Sequence, residues 1–254
     1  MGEYRVNKNG ARQHPIGDGL DLEAKFLYVQ HLFAPAAKSL DLRAHPLARK
    51  IGVDYVQMGD GWMSSVDEKA CKNVFETGNV ALELFTLSRT RPISRGWFLY
   101  GSNAFIFYIC VQSAEVLVLP VDEVRAAVLP RLKWLHVVSA MNPDRKRKGE
   151  ISHLSYNSLV PVGCLMAWCP GVRIFELPES TGHFASQFPD RVASAQDVVA
   201  QLQSLPLYST PDRTRFTTLE EVTAFMAQNR FAKRDAAEIS RCRLAFAEPL
   251  LKAA

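Results

Sequence analysis

Hydrophobic positions recur at helical spacing early in the chain and then switch to strand-like alternation. From Asp21 the stretch LEAKFLYVQHLFAPAAKSL carries apolar residues near helical spacing, with Asp21 as the cap and Pro35 as a break or kink. Residues 51–58 and 62–70 alternate between apolar and polar like strands, and the GDG between them is a hairpin signal. The pattern therefore predicts a leading helix followed by a β-hairpin.

The middle of the chain predicts further strands and one interrupted helix. Residues 79–87 (NVALELFTL) have the pattern of a third strand, and residues 114–120 form a β-rich run that ends at a proline. The segment VDEVRAAVLPRLKWL predicts a helix that Pro130 interrupts. Beyond residue 178 the patterns are helical only, beginning with a helix from about residue 194 to 205.

These patterns predict an α/β fold, in which a mixed sheet flanked by helices is followed by a small helical C-terminal part. The composition changes near residue 178, where PESTGHFASQFPD is typical of a linker. We therefore expect a flexible N-terminal tail at 1–19, an α/β domain at 20–178 and a helical C-terminal region at 179–254. The C-terminal region either forms a separate domain or docks on the core.

Length and composition limit the class of protein. The chain has 254 residues, of which 48% are hydrophobic, and this is enough to bury a core. Its five cysteines are scattered without the paired spacing of a zinc site, and free thiols fit a reducing compartment. The N-terminus has no apolar signal core, and no apolar run approaches the length of a membrane span. We expect a cytoplasmic protein without a membrane partner.

The net charge of +4 does not by itself demand an anionic partner, but the basic residues are clustered in two predicted loops. Such runs are either solvated loops or loops that contact phosphate groups. In the second interpretation they would hold the backbone of DNA. The residues concerned are Arg89, Arg91, Arg95, Arg145, Lys146, Arg147 and Lys148.

The predicted hairpin carries charged residues where a half-buried strand is expected to pack. Asp67 and Lys69 are two residues apart and share a face of their strand, and Asp54 on the preceding strand can face them. Two carboxylates in proximity repel each other unless a cation lies between them. Mg²⁺ accepts such oxygen ligands, and a neighbouring ammonium can orient water and stabilise charge on a phosphate. The group predicts metal-assisted phosphodiester hydrolysis.

The same charges have a simpler interpretation, because the spacing is short and common. On a surface hairpin they would pair across the strands, each pair contributing roughly 0.2–1 kcal/mol. The aromatic residues of the following block, among them Trp97 and Tyr100, likewise fit either stacking on nucleic-acid bases or packing in the core.

From about residue 20 to 161 the chain resembles the PD-(D/E)xK nuclease superfamily, which includes many restriction enzymes and Holliday-junction resolvases. The resemblance lies in a leading helix, the strand with Asp54, and the triplet Asp67-Glu68-Lys69. It extends to TGNVALEL, RGWFLYGSNAFIFYI and LVPV further along. It implies a restriction-endonuclease-like core, Mg²⁺ or Mn²⁺ as cofactor, DNA as partner and a homodimer. It also implies that a glutamate on the first helix, here Glu23, completes the metal site.

One position departs from the family pattern, and one further acid has several interpretations. The middle residue of the triplet is Glu68, where an apolar residue is usual. Because a buried, unpaired carboxylate is costly, there are three interpretations: this face of the strand is partly wet, Glu68 pairs with a base such as Lys72, or catalysis is lost. Glu83 alternates with apolar neighbours in its strand, and it is an extra metal ligand, a partner of the lysine, or a cross-strand partner of another base.

Two functions follow from this sequence. The first is a Mg²⁺-dependent DNA endonuclease with Asp54, Asp67 and Lys69 as catalytic residues and Glu23 or Glu83 completing the metal shell. The second is a catalytically inactive nuclease-fold module of a phage or mobile element that binds DNA or protein. Residues 181–254 could dock a protein partner in either case, although their apolar helical faces fit packing on the core as well.

Overall fold

The computed structural model describes residues 37–71, 73–88, 94–143 and 151–209, and two β-sheets organise this part of the chain. The strands of the larger sheet are, in spatial order, β1 (Lys38–Asp41), β2 (Tyr55–Gly59), β3 (Trp62–Cys71), β6 (Phe105–Cys110), β7 (Glu115–Pro120) and β10 (Arg173–Glu176). Those of the smaller sheet are β5 (Ser94–Arg95), β4 (Asn79–Ser88), β9 (Ile151–Pro161) and β8 (His136–Pro143). Among these paired strands, β3 and β6 run parallel and the other pairs are antiparallel.

Six helices flank the sheets in the described residues. They are α1 (Pro46–Ile51), α2 (Asn73–Thr77), α3 (Trp97–Tyr100), α4 (Val121–Val128), α5 (Val162–Trp168) and α6 (Ala195–Ser204). The described residues also contain two 3-10 helices, Leu129–Trp134 and Pro189–Arg191. The predicted mixed α/β class is confirmed. In the part of the chain that the structure describes, no helix combines the length and the apolar character needed to cross a membrane.

The central strands of the larger sheet are buried on both faces. In β6, Ile106 and Tyr108 belong to a core shared with the smaller sheet, α4 and α5, whereas Phe105 and Phe107 belong to a second core under α6. All six residues of β6 are buried, which explains its continuous apolar sequence. A fully buried side chain of this size contributes about 1.5–3 kcal/mol, so both faces stabilise the sheet.

Most of the predicted elements of this region are confirmed. The hairpin is β2 and β3, with Gly59 opposite Trp62 across the turn, and the third predicted strand is β4. The helix of VDEVRAAV ends at Val128, and the following turn of 3-10 helix contains Pro130. The proline has no N–H for a helical hydrogen bond, which is the physical reason for the change.

Two elements before the hairpin differ from the prediction. Residues 38–40, which continued the leading helical pattern, form strand β1 at the sheet edge, and residues 46–51 form α1. Gly52, with a φ of 71°, ends α1, and the Val53 N–H bonds the Ala48 carbonyl at 3.0 Å. This is a Schellman ending, in which the left-handed residue is usually glycine. The strand therefore begins at Tyr55 and not at residue 51.

The predicted helix at about 194–205 is confirmed as α6, which a Ser194–Asp197 capping box opens. Its residues Val198, Val199 and Leu202 are buried in the second core, so this helix docks on the larger sheet. The domain division at 178/179 stays a prediction. The leading helix up to residue 36 and the helices expected beyond residue 209 lie outside the described residues.

Candidate functional site

Asp54 lies between the end of α1 and the first strand of the hairpin. Val53 packs with Ala48 in a small core of its own, which anchors the chain directly before Asp54. The Asp54 N–H bonds the Val66 carbonyl at 3.0 Å, and its carbonyl accepts the Leu42 N–H at 2.8 Å. The backbone of this aspartate is therefore held from both sides, although it precedes β2 by one residue.

Strand β3 presents its three charged residues on two faces. Asp67 lies opposite Ile106 and Lys69 opposite Tyr108, so both are on the face of the first core. Glu68 lies opposite Phe107, on the face of the second core. The alternation of strand side chains accounts for this division, as the sequence predicted.

Asp67 and Lys69 form a short ion pair at the border of the first core. The Lys69 Nζ donates to Asp67 Oδ1 at 2.6 Å and to the Glu68 carbonyl at 3.1 Å. The Asp67 side chain is 3% exposed and that of Lys69 is 28% exposed. The lysine therefore remains accessible to solvent while it orients a carboxylate that is almost fully buried.

Asp54 completes a carboxylate pair with Asp67. Asp54 Oδ2 accepts the Glu68 N–H at 2.9 Å, which fixes this carboxyl group beside β3. Burial raises the pKa of Asp67 well above its usual range; Lys69 opposes this, and the charge of the neighbouring Asp54 carboxyl group adds to it. Asp67 Oδ2 is buried and accepts no hydrogen bond from the described residues. A shared proton or a cation is what would neutralise this pair.

The chemistry of the two carboxylates fits a magnesium or manganese ion. Both metals prefer oxygen ligands, and Mg²⁺ often uses one or two carboxylates together with water and phosphate. The buried, unpartnered Asp67 Oδ2 is an oxygen of this kind. Within the described ranges, however, no three His, Cys, Asp or Glu side chains group closely enough to hold a metal by themselves. Glu23, assigned to the shell by resemblance, lies outside those ranges.

Glu83 approaches the site from the smaller sheet. The register of β4 against β9 shifts between Glu83 and Phe85, a bulge of the kind that re-aims side chains near functional sites. Glu83 Oε1 accepts the Trp97 N–H at 3.4 Å, so it caps the short helix α3. Burial raises its pKa, while that hydrogen bond and the charge of Lys69 lower it. Its assignment as a metal ligand stays a prediction.

Helix α3 covers the site with two aromatic side chains. The Lys69 Nζ lies 5.8 Å from the centre of the Trp97 ring. Tyr100 is half-buried, and its ring carbons would lie 3.4–3.6 Å from a β-carbon added to Gly52, two residues before Asp54. Burial and the charge of Asp67 raise the pKa of the Tyr100 hydroxyl. The sequence does not predict that Tyr100 belongs to the acidic site. The feature that could have indicated it is the position of this tyrosine in an apolar block that follows a glycine.

Gly96 allows α3 to lie this close to β4. A β-carbon at this position would be 2.4 Å from the Glu83 carbonyl oxygen, a distance that real β-carbons do not reach. The Gly96 N–H also bonds the Leu84 carbonyl at 2.7 Å, at the bulge itself. The absence of a side chain is thus required for the contact between the bulge and the helix.

Glu68 has a partner on the opposite face of β3. The Tyr55 hydroxyl donates to Glu68 Oε1 at 3.0 Å inside the second core. The expected basic partner, Lys72, lies outside the described residues. Arg43 has a raised pKa, mainly through its hydrogen bond to Asp41, and the charge of Glu68 contributes. Glu68 is buried, with 1% exposure, so the expectation of a wet face does not hold for this side chain.

The basic loops are mostly beyond the described ranges. Arg95 is described: it lies half-buried in β5, opposite Phe85 of β4. The other six basic residues lie outside, so their expected contact with DNA stays a prediction. These six are Arg89, Arg91, Arg145, Lys146, Arg147 and Lys148.

The structure therefore brings together Asp54, Asp67 and Lys69, with Glu83 and α3 beside them. Comparison of the chain with protein-family models, with curated proteins and with solved structures finds no match.

Proposed function

We propose that the protein is a Mg²⁺-dependent DNA endonuclease with a restriction-endonuclease-like core, in which Asp54, Asp67 and Lys69 hydrolyse the phosphodiester bond. The observation that supports it most is the buried, unpartnered Asp67 Oδ2 beside a second carboxylate and a solvent-accessible lysine. A surface hairpin whose charges merely pair would leave the acids exposed, whereas Asp67 is 3% exposed.

Each residue has a separate role in this proposal. Asp54 and Asp67 would hold Mg²⁺ or Mn²⁺, which supplies a Lewis acid that polarises the scissile phosphate. Lys69 orients the Asp67 carboxylate, and its ammonium holds an attacking water and balances charge that develops on the phosphate. The roles of Glu23 and Glu83 as further ligands, of the two basic loops as phosphate contacts, and of a homodimer are parts of the same proposal.

Plasmid cleavage tests the site with two variants and a matched control. We expect the full chain to nick or linearise supercoiled DNA with Mg²⁺ or Mn²⁺. Asp67→Asn and Lys69→Met should each slow cleavage by about 10²-fold or more, as the loss of one preorganised charged group does in other enzymes. Asp60→Asn removes the same charge from the exposed turn of the same hairpin and should cut at the wild-type rate. Equal cutting by all four proteins would remove the site assignment.

A second function has one observation in its favour. Because no third metal-ligating side chain joins the two aspartates within the described residues, an inactive nuclease-fold module that binds DNA or protein also fits. Calorimetric titration with Mn²⁺ separates the two. A nuclease should bind the ion, and more tightly when DNA is present. An inactive module should bind DNA with an affinity that falls with salt concentration and does not depend on the metal.

A further inference from the structure

A buried arginine outside the acidic site holds the helix that covers it. Arg125, on α4, is 4% exposed. Its Nε donates to the Phe98 carbonyl at 2.6 Å and its Nη2 to the Gly101 carbonyl at 2.6 Å. These two carbonyls lie in α3 and just after it. One guanidinium therefore fixes the end of α3 at two points.

The third contact of Arg125 reaches a distant part of the chain. Its Nη1 donates to the Ser209 Oγ at 2.7 Å, and this serine belongs to residues 205–209, here named the C-terminal strap. The strap is tied to the hairpin, because the Ser65 N–H donates to the Leu207 carbonyl at 3.1 Å. It is also tied to the loop after α3, because the Ser209 N–H donates to the Ser102 carbonyl at 2.9 Å. Ser65 precedes Asp67 by two residues on the same strand.

These contacts have a common physical reason. The last carbonyls of a helix lack partners within it, and a buried guanidinium needs acceptors for its N–H groups. The planar fork of arginine meets several acceptors at fixed angles, which a lysine cannot do. Asp122 Oδ1 lies 3.8 Å from Nη1 and its side chain is half exposed, so this acid is farther from the guanidinium than the two carbonyls and the serine.

We propose that Arg125 is a positioning residue, which together with the C-terminal strap holds α3, and with it Trp97 and Tyr100, against the Asp54–Asp67 site. The geometry that carries this inference is the pair of 2.6 Å bonds to α3 and to Gly101 directly after it, the contacts of Trp97 with Glu83 and Lys69, and the bond from β3 to the strap. The catalytic consequence rests on the proposed function, whereas the structural consequence does not.

Hydrogen exchange and kinetics on the full chain test the two consequences separately. Arg125→Lys and Ser209→Ala remove the fork and its contact with the strap. We expect the amides of 96–104 to lose protection by about tenfold in both, since a charge-assisted hydrogen bond is lost. Arg131→Lys is the control, because Arg131 also donates to a helix carbonyl, that of Ala127, but stacks on Trp168.

In cleavage assays Arg125→Lys should lower kcat by about 10–100-fold, because a small misplacement of an active-site group has effects of this size. KM for DNA should stay within about twofold, since the basic loops are untouched. The inference would be overturned if the amides of 96–104 kept their protection from exchange in both variants. It would also be overturned if Arg131→Lys lowered the protection of these amides equally. Loss of protection in a protein whose wild type cuts no DNA would support it and overturn the endonuclease proposal. If Arg125→Lys does not fold, Ser209→Ala decides alone.

Discussion

Replacing Asp67 with asparagine removes one charge from the buried carboxylate pair and keeps the shape of the side chain. Burial, with the charge of Asp54, raises the pKa of Asp67 above the value of 3.8 expected when the chain is unfolded. The folded protein therefore binds this proton more tightly. The resulting stability is fully present below pH 3.8 and is lost as the pH rises through the folded pKa. Asparagine is neutral at every pH, so the variant does not lose this stability as the pH rises.

Two opposing effects set the size of the change. The amide of the introduced asparagine can donate to Asp54, which turns a buried repulsion into a hydrogen bond and contributes about 1–3 kcal/mol. The lost ion pair with the partly exposed Lys69 costs at most about 1 kcal/mol. We expect a net stabilisation of about 1 kcal/mol at pH 8, or about 2–4 °C in Tm for a chain of this size.

Thermal melts in EDTA at pH 5 and pH 8 measure this difference. The gain in Tm of Asp67→Asn should be larger at pH 8, and Asp60→Asn, on the exposed turn, should show none at either pH. Mg²⁺ should raise the Tm of the wild type and not that of the variant, because only the wild type binds it through both acids. A lower Tm for Asp67→Asn at pH 8 would refute the reasoning, since it would mean that the Asp67 charge is favourable.

Other predictions concern the surroundings of the pair. Glu68→Gln keeps an acceptor for Tyr55 on the far face, so Mn²⁺ affinity by calorimetry should match the wild type; a large loss would place Glu68 among the ligands. Tyr55→Phe leaves buried Glu68 without this donor and should lower the free energy of unfolding in urea by about 1–3 kcal/mol; an unchanged midpoint would mean that the bond contributes little. Gly96→Ala places a β-carbon 2.4 Å from the Glu83 carbonyl and should destabilise by about 1–3 kcal/mol; a wild-type melt would contradict that contact.

The parts of the site that sequence could predict are those that depend on local geometry. Asp67 and Lys69 share a face because strands alternate, and Asp54 reaches them because a short turn joins their strands. Helix α1 also has sequence features typical of a helix, a proline at its first position and Gly52 after its end. The strand-like alternation of residues 51–58 predicts a strand that begins too early and overlaps the end of this helix.

The remaining parts depend on contacts between distant residues. Glu83 reaches α3 through a bulge that only the register of β4 on β9 defines. Arg125 meets Ser209 across 84 positions of the chain, and a charged residue in an amphipathic helix gives no sign of such a partner. The sequence leaves open whether Glu68 faces water, pairs with a base or marks a loss of catalysis, and it gives no sign that buried Tyr55 supplies a neutral donor.

The connection between the parallel strands β3 and β6 has a consequence for the order of folding. Both aspartates belong to one hairpin, which forms from local contacts, while the segment that carries Glu83 and α3 must close a long loop afterwards. The two acids meet early, while they are still in water, and their repulsion becomes strong only in the late step, when that segment buries them. Divalent cations should accelerate that late step, and stopped-flow refolding with and without Mg²⁺ would measure the difference.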